Sequence, residues 1–216
     1  MEVHILAKEH SVFNQFLAEI RDKQIQVDPL RFRRNLERMG EVFAYEISKT
    51  LRYEEKIVQT PLGEALVNTN VEQPVLATIL RAGLPLHQGL LSYFDHGRNA
   101  FISAYRKHDE KGEFDIHIEY IASPSIDDST LILSDPMLAT GQSMVLSYKA
   151  MLSKGQPERT HIVAVLASEE GLEYTKKNLP ENTIIWLGDV DKELTSKAYI
   201  SPGLGDAGDL AFGEKS

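Results

Sequence analysis

The sequence has no cysteine and only one tryptophan among its 216 residues. The absence of cysteine excludes disulfides, thiolate metal sites and thiol nucleophiles. No stretch approaches the ~18 consecutive apolar residues typical of a membrane span, and the N-terminus has no apolar run long enough for a signal peptide. Acidic side chains outnumber basic ones by 32 to 23, which disfavours a general nucleic-acid-binding surface. We therefore expect a cytoplasmic protein with no nucleic-acid and no membrane partner.

The length and an apolar content of 42% are enough for one good core, so we expect a single domain over 1–216. Its first part, 1–52, shows helical periodicity and no strong strand signal. A serine cap predicts a helix over about 11–21, and Asp28 followed by Pro29 predicts a longer helix that runs to about Leu51.

After residue 52, short apolar runs alternate with helical segments, as in a parallel sheet covered by helices on both faces. The tail from Ser201 onward holds four of the fourteen glycines and few apolar residues, so it predicts a long loop. The predicted strands are 75–80, 100–105, 113–121, 130–134, 161–167 and 182–188, and the predicted helices between them are 84–94 and 142–154.

The segment 131–143, LILSDPMLATGQS, is the most informative one. Its strand ends at Asp135, whose carboxylate could accept hydrogen bonds from two ribose hydroxyls. The helix entrance from Thr140 to Ser143 offers amides, hydroxyls and a helix dipole to a phosphate, and Gly141 lets the backbone approach it. From these residues alone, an ordinary strand end followed by an ordinary helix cap at Thr140 or Ser143 stays equally open.

This segment resembles the signature with which type I phosphoribosyltransferases bind 5-phosphoribosyl 1-diphosphate (PRPP), and DPMLATG is similar to the uracil phosphoribosyltransferase family. Pro136 and Ala139 stand where most relatives carry acids, a departure that the uracil enzymes share. The resemblance implies PRPP contacts along the whole run: Asp135, Pro136, Met137, Leu138, Ala139, Thr140, Gly141, Gln142 and Ser143.

Two further segments resemble the family's PRPP-binding parts. ILRAGL, 79–84, is similar to the pyrophosphate loop, in which Arg81 would face the diphosphate and Gly83 would let main-chain amides reach it. An arginine suits this place because its fork of donors matches phosphate oxygens. Tyr105 and Arg106 match the pair that opens the flexible loop of the family, which implies that Arg106 contacts PRPP and that 106–115 closes over it.

The C-terminal AYISPGLGDAGDLAFGEK, 198–215, resembles the uracil-binding end of the family. The resemblance implies that Ile200, Gly205 and Ala207 hold uracil through main-chain groups. It also implies that Asp206, in the same loop, takes part in binding both uracil and PRPP. Backbone N–H and C=O groups can read the alternating polar edge of uracil with little help from side chains.

The resemblance implies a type I phosphoribosyltransferase-like α/β fold. Its mostly parallel central sheet would be flanked by helices, with an N-terminal helical segment (1–52) and a C-terminal base-binding hood (189–216). The implied reaction joins uracil to PRPP and releases UMP and diphosphate, a step of pyrimidine salvage. Arg81, Asp135 and Asp206 would be catalytic, and Mg²⁺ would be held through PRPP and by no direct protein ligand. The implied partners are uracil, PRPP, GTP as a candidate activator, and copies of the chain in a homodimer or homotetramer.

Three alternatives remain open at this point. The enzyme could use another base, such as a purine or orotate. The chain could be a non-catalytic regulator that senses PRPP or UMP. It could also be a generic ligand-binding α/β protein, if PRPP does not bind.

Overall fold

The computed structural model of the chain describes residues 1–108 and 114–214, and for 104–108 and 114–117 it describes the backbone alone. Its helices are α1 (Val12–Arg21), α2 (Pro29–Ser48), α3 (Leu84–Leu91), α4 (Gln142–Met151), α5 (Glu169–Asn178) and α6 (Ala207–Phe212). Its strands are β1 (Glu2–Ile5), β2 (Tyr53–Thr60), β3 (Gly63–Asn70), β4 (Val75–Leu80), β5 (Arg98–His108), β6 (Phe114–Ala122), β7 (Thr130–Ser134), β8 (Met137–Leu138), β9 (Arg159–Ser168), β10 (Ile184–Asp191), β11 (Glu193–Leu194) and β12 (Ile200–Ser201).

The central sheet runs in the order β1-β10-β9-β7-β4-β5-β6, and the short strand β8 also pairs with β9. All neighbouring pairs are parallel except β5 and β6. Strands β4, β7 and β9 are buried almost throughout, which explains their nearly continuous apolar sequences. Because they are parallel, the carboxyl ends of β4, β7, β9 and β10 meet at one edge, where open α/β sheets bind ligands.

Helices cover both faces of the sheet. Along β9, Val163 and Val165 join one apolar cluster with Phe43 of α2, whereas Ile162 joins a second cluster with Met144 of α4. This alternation follows from the two-residue period of a strand. No helix within the described ranges combines the length and apolar character needed to cross a membrane.

The helix starts agree with the sequence prediction. Ser11 Oγ accepts a hydrogen bond from Phe13 N at 3.2 Å at the start of α1, and Asp28 caps α2 ahead of Pro29. The strands predicted at 75–80 and 130–134 have the same bounds in the structure. The long helix α2 ends at Ser48, one turn before the predicted end.

Several elements were not predicted, and the prediction of a loop for the whole tail was wrong. Helix α6 occupies part of the tail and buries small residues, Ala207 and Ala211 among them, which give little apolar signal. The edge strand β1 and helix α5 were also missed. The hairpin β2–β3 lies apart from the central sheet and is mostly exposed, so it carries no core pattern.

The buried His161 predicts a pH dependence of stability. Its Nδ1 accepts a 3.0 Å hydrogen bond from Trp186 Nε1, and burial lowers the pKa of His161 to about 4. Because histidine in the unfolded chain titrates near about 6.5, the unfolded state binds more protons between these values. The free energy of unfolding should therefore fall as the pH drops from about 6.5 towards 4, by at most about 3 kcal/mol from this residue.

Denaturant unfolding at several pH values tests this, with His161→Gln as the comparison. The difference in unfolding free energy between the wild type and the variant should shrink as the pH is lowered. A constant difference would show that protonation of His161 does not act on stability.

Candidate active site

Strands β4 and β7 bring Arg81 and Asp135 to one edge of the sheet. The two strands are parallel neighbours in which Thr78 lies opposite Ser134, and each strand ends within two residues of that pair. Thr78 Oγ1 donates to Ser134 O at 3.3 Å and fixes the register. The arginine and the carboxylate predicted to serve the diphosphate and the ribose therefore leave adjacent strand ends.

The turn after β7 is held against β9 by backbone hydrogen bonds. Asp135 N donates to Val163 O at 3.1 Å, and Leu166 N donates to Pro136 O at 2.9 Å. Strand β8 continues this pairing, with Met137 opposite Leu166. The loop that carries the predicted PRPP contacts thus follows a fixed path to the start of α4.

Gly141 is required where the loop enters α4. It has a φ of +75°, and a Cβ there would lie 2.6 Å from Gly171 O and 2.7 Å from Thr175 Oγ1. Ser168 supports the loop from behind, because its Oγ donates to Ala139 O at 2.5 Å and accepts from Gly171 N at 2.8 Å. Sequence reasoning missed this support, although Ser168 followed by two acidic residues is a usual signal for a helix start.

The start of α4 argues against an ordinary side-chain cap. The N-cap residue is Gly141, which has no side chain, so neither Thr140 nor Ser143 occupies that position. Thr140 Oγ1 accepts a long hydrogen bond, 3.4 Å, from Gln142 N. The hydroxyls and the positive end of the helix dipole at this turn are well suited to an anion.

Arg81 contacts the tail of the same chain. Its Nη2 lies 3.3 Å from Asp209 Oδ1 and donates to Gly213 O at 3.2 Å. A Cβ on Gly208 would lie 3.9 Å from Arg81 Nη2 and 3.1 Å from Asp206 Oδ1, so Arg81 and Asp206 flank Gly208. The loop that carries Arg81 and the predicted base-binding tail are therefore neighbours.

Gly83 is needed for the tight turn after β4. Its own amide donates to Ile79 O at 3.1 Å, and a Cβ there would lie 2.6 Å from the same oxygen. The amide of Gly83 is thus already used inside the turn, and close packing is reason enough for a glycine.

Two of the predicted uracil-binding residues belong to a hydrophobic cluster against which the turn after β7 also packs. Ile200 is buried in β12, Gly205 has a φ of +99°, and Ala207 is buried at the start of α6. Met137 and Ala139 pack against the same hydrophobic cluster that contains Ile200 and Ala207. Strand β12 of the tail and strand β8 of the turn both contact β9, so the two segments that the predicted site requires lie against the same strand within one protomer.

Asp206 has a structural role of its own. It is the N-cap of α6, and its Oδ1 accepts a 3.0 Å hydrogen bond from Asp209 N. Any chemical role of this carboxylate must be separated from its capping role by experiment.

Arg106 belongs to β5, and its backbone lies opposite Ile116 in β6. The segment 106–115, predicted to close over PRPP, thus begins and ends in a hairpin. Residues 109–113, and the side chains of Tyr105 and Arg106, lie outside the described residues.

A mostly parallel sheet that places Arg81 and Asp135 at adjacent strand ends, beside a helix that begins after Gly141, is the arrangement expected of a type I phosphoribosyltransferase. A family model described as uracil phosphoribosyltransferase matches residues 7–214. The chain belongs to the uracil phosphoribosyltransferase family.

Individual relatives agree with this membership. The chain is 57% identical over 215 residues to a uracil phosphoribosyltransferase of Porphyromonas gingivalis, with 100% of both chains covered. Among solved structures, it is similar to the AQ2163 protein from Aquifex aeolicus, with a TM-score of 0.85, 29% identity and 98% of both chains covered. A hypoxanthine phosphoribosyltransferase from Staphylococcus aureus shares the fold, with a TM-score of 0.50, 15% identity and 74% of both chains covered.

Proposed function

We propose that the protein transfers the 5-phosphoribosyl group of PRPP to N1 of uracil, producing UMP and diphosphate. One observation carries the proposal: the turn after β7 and the C-terminal tail, which hold the PRPP and uracil motifs of the family, pack into one cluster of the same protomer. The contact of Arg81 with Asp209 and Gly213 also supports the proposal, because it joins the proposed pyrophosphate loop to the same tail.

The proposed chemistry is a displacement at C1 of the ribose. The bond from C1 to the diphosphate oxygen breaks, which leaves positive charge on the sugar and negative charge on the leaving group. A lone pair on N1 of uracil forms the new bond, and the N1 proton passes to a base, for which Asp206 is the candidate, or to water. Catalysis of this kind depends on positioning and on stabilising the separated charges.

Each part of the site has a proposed share in this step. Arg81 would stabilise the diphosphate, and Asp135 would hold the ribose hydroxyls. The hydroxyls and amides from Thr140 to Ser143 would bind the 5-phosphate. The remaining PRPP contacts would come from the turn residues Pro136 to Ala139 and from Arg106 of β5. The backbone groups of Ile200, Gly205 and Ala207 would read the edge of uracil.

We also propose Mg²⁺ as the cofactor, bound mainly by the diphosphate oxygens of PRPP. The donor set fits, because Mg²⁺ prefers oxygen ligands and usually keeps substrate phosphates among them. Bound there, the ion would neutralise charge on the leaving group. Asp135 and Asp206 are not proposed as direct ligands of the ion.

The contribution of the Asp206 charge to catalysis can be tested separately from its role as the N-cap of α6. Asparagine caps a helix about as well as aspartate, so Asp206→Asn should keep the melting temperature within about 2 °C. If the carboxylate takes the N1 proton or orients PRPP, kcat should fall at least about tenfold, as removal of a general base does. Steady-state kinetics and thermal unfolding measure the two effects.

Asp28→Asn is the matched control, because Asp28 is likewise an N-cap aspartate and lies at the exposed start of α2. It should change neither quantity. Full activity in Asp206→Asn would show that Asp206 is only a cap.

Assembly and location extend the proposal. The hairpin β2–β3 exposes large apolar side chains, with Leu62 fully exposed and Ile57 and Leu66 more than half exposed. Burial against another copy of the chain would remove this apolar surface from water, so we propose a homodimer or a homotetramer. A monomeric mass measured by light scattering would contradict this proposal. PRPP is highly charged and cannot cross a bilayer unaided, so we propose that the enzyme works in the cytoplasm.

A comparison of bases tests the proposed activity. Uracil, orotate, hypoxanthine and guanine are each incubated with PRPP and Mg²⁺, and nucleotide products are separated by chromatography. UMP should form at least about a hundred times faster than any other nucleotide, because a site built to hydrogen-bond one polar edge rejects others strongly. Faster formation of a nucleotide from another base would overturn the assignment of uracil, and no product from any base would favour a sensing role.

Adding GTP to the same assay tests the proposed role of GTP as an activator.

A further inference from the structure

Arg21, the last residue of α1, joins the first helix of the chain to the tail. Its Nη1 donates to Asp191 Oδ2 at 2.7 Å and to Gly203 O at 3.2 Å. Its Nη2 donates to Asp191 Oδ1 at 3.0 Å and to Asp189 Oδ2 at 2.9 Å. Burial alone disfavours the guanidinium charge, but the two carboxylates outweigh it and raise the pKa of Arg21. Arg21 is therefore charged, and its four hydrogen bonds connect α1 with residues near the other end of the chain.

Asp191 completes this link. It is buried at the end of β10, and its Oδ2 accepts a 3.0 Å hydrogen bond from Gly203 N. Both polar backbone groups of Gly203 are thus held, the N–H by Asp191 and the C=O by Arg21. Gly203 has a φ of +54°, and a Cβ there would collide with Ile200 O, so this position must stay glycine. The distant pair Arg21 and Asp191 fixes the path of this turn.

Gly203 lies between Ile200 and Gly205, two of the residues proposed to read uracil through their backbones. Main-chain groups have no rotamers with which to adjust, so their positions depend on the path of the loop. Small errors matter at such a site, since a displacement of about 1 Å can cost about a hundredfold in rate. A contact that sets the position of Gly203 should therefore set the fit of the base.

We propose that Arg21, acting through Asp191 and Gly203, is a positioning residue that sets the affinity for the pyrimidine base. The inference rests on the proposed function and deepens it, because it assigns base affinity to a residue outside the motif segments 79–84, 131–143 and 198–215. Arg21 itself need not touch either substrate. The diphosphate and 5-phosphate contacts are proposed for Arg81 and for Thr140 to Ser143, which belong to other elements than the Gly203 turn, so they should be little affected.

Arg31 offers a matched control. It forms an equally close fork, with Nε 2.7 Å from Glu19 Oε2 and Nη2 2.9 Å from Glu19 Oε1. That fork ties α2 to α1 and does not reach the tail. Arg31→Met should therefore lower the melting temperature without a selective effect on either substrate.

The test compares KM for uracil with KM for PRPP in Arg21→Met and Arg21→Lys, well below their melting temperatures. In Arg21→Met, KM for uracil should rise about tenfold to a hundredfold, because loss of charged hydrogen bonds weakens binding by a factor of this size. KM for PRPP should stay within about twofold of the wild-type value. Arg21→Lys keeps the charge and loses the fork, so it should lie between Arg21→Met and the wild type. Asp189→Asn, which leaves the Asp191 fork in place, should have the smallest effect.

A second readout does not depend on turnover. If Arg21 holds the loop, trypsin should cut after the exposed Lys197 at least about tenfold faster in Arg21→Met, because cleavage follows the opened population. Arg31→Met should show no such selective increase. Wild-type protein that makes no UMP would refute the proposed function, and the cleavage rate alone would then decide whether Arg21 holds the loop.

Any one of four results would overturn the inference. The two KM values could change together in Arg21→Met, or neither could change. Arg31→Met could show the same selective loss of uracil affinity. Cleavage after Lys197 could be as slow in Arg21→Met as in the wild type.

Discussion

Asp135→Asn should lower kcat/KM for PRPP by at least about a hundredfold and leave the fold intact. A charged hydrogen bond contributes about 1.5–3 kcal/mol, and the carboxylate is proposed to accept one from each of two ribose hydroxyls. Asparagine has nearly the same shape, so the backbone bond from Asp135 N to Val163 O should persist. Steady-state kinetics with PRPP as the varied substrate, together with thermal unfolding, measure the effect.

The same strand provides the control for this variant. Asp128 precedes β7 at the opposite edge of the sheet, is exposed, and has a φ of +52° that asparagine also adopts readily. Asp128→Asn should leave both the kinetics and the melting temperature unchanged. Normal use of PRPP by Asp135→Asn would remove Asp135 from the ribose site.

Arg81→Met should reduce kcat by about a hundredfold to a thousandfold. The reason is that negative charge develops on the departing diphosphate, and loss of one preorganised donor to such charge has costs of this size. Arg81→Lys should recover part of the rate, because it restores the charge but not the fork of donors. Rates at saturating uracil and PRPP measure the effect.

Arg98 serves as the control for Arg81. It lies at the start of β5, on the far edge of the sheet, where its Nη1 donates to Ser125 O at 3.1 Å. Arg98→Met should leave kcat within about twofold, since surface substitutions usually have small effects. An equal loss of rate in both arginine variants would mean that general destabilisation, and not charge at the diphosphate, explains the result for Arg81.

The central part of the fold could be predicted because its strands are buried on both faces. VLATIL and TLILS are nearly uninterrupted apolar runs, and the structure gives β4 and β7 those bounds. Helix starts with a side-chain cap, at Ser11 and Asp28, were equally visible. These signals are local, so a single sequence contains them.

The parts that were missed depend on other forces. Helix α6 is stabilised by the Asp206 cap and the close packing of small residues, so apolar periodicity does not mark it. The hairpin β2–β3 buries little within one chain and thus has no core pattern. Helix α5 has low apolar content, although Ser168 and the acids after it would have indicated its start.

The candidate site shows the same division. Motif resemblance identified Arg81, Asp135 and the tail residues, but only the sheet order brings them to one edge. Arg21 carried no signal in the sequence, because its partners Asp189 and Asp191 lie near the other end of the chain. An isolated arginine at a helix end normally indicates nothing more than a solvated side chain.

Release of diphosphate from PRPP and Mg²⁺, with uracil added or withheld, tests most directly whether the strand-end turn and the tail form one working site. The wild-type protein should release diphosphate in step with UMP when uracil is present, and at least about a hundredfold more slowly without it. Release at the same rate with and without uracil, or no release under either condition, would contradict the proposed site.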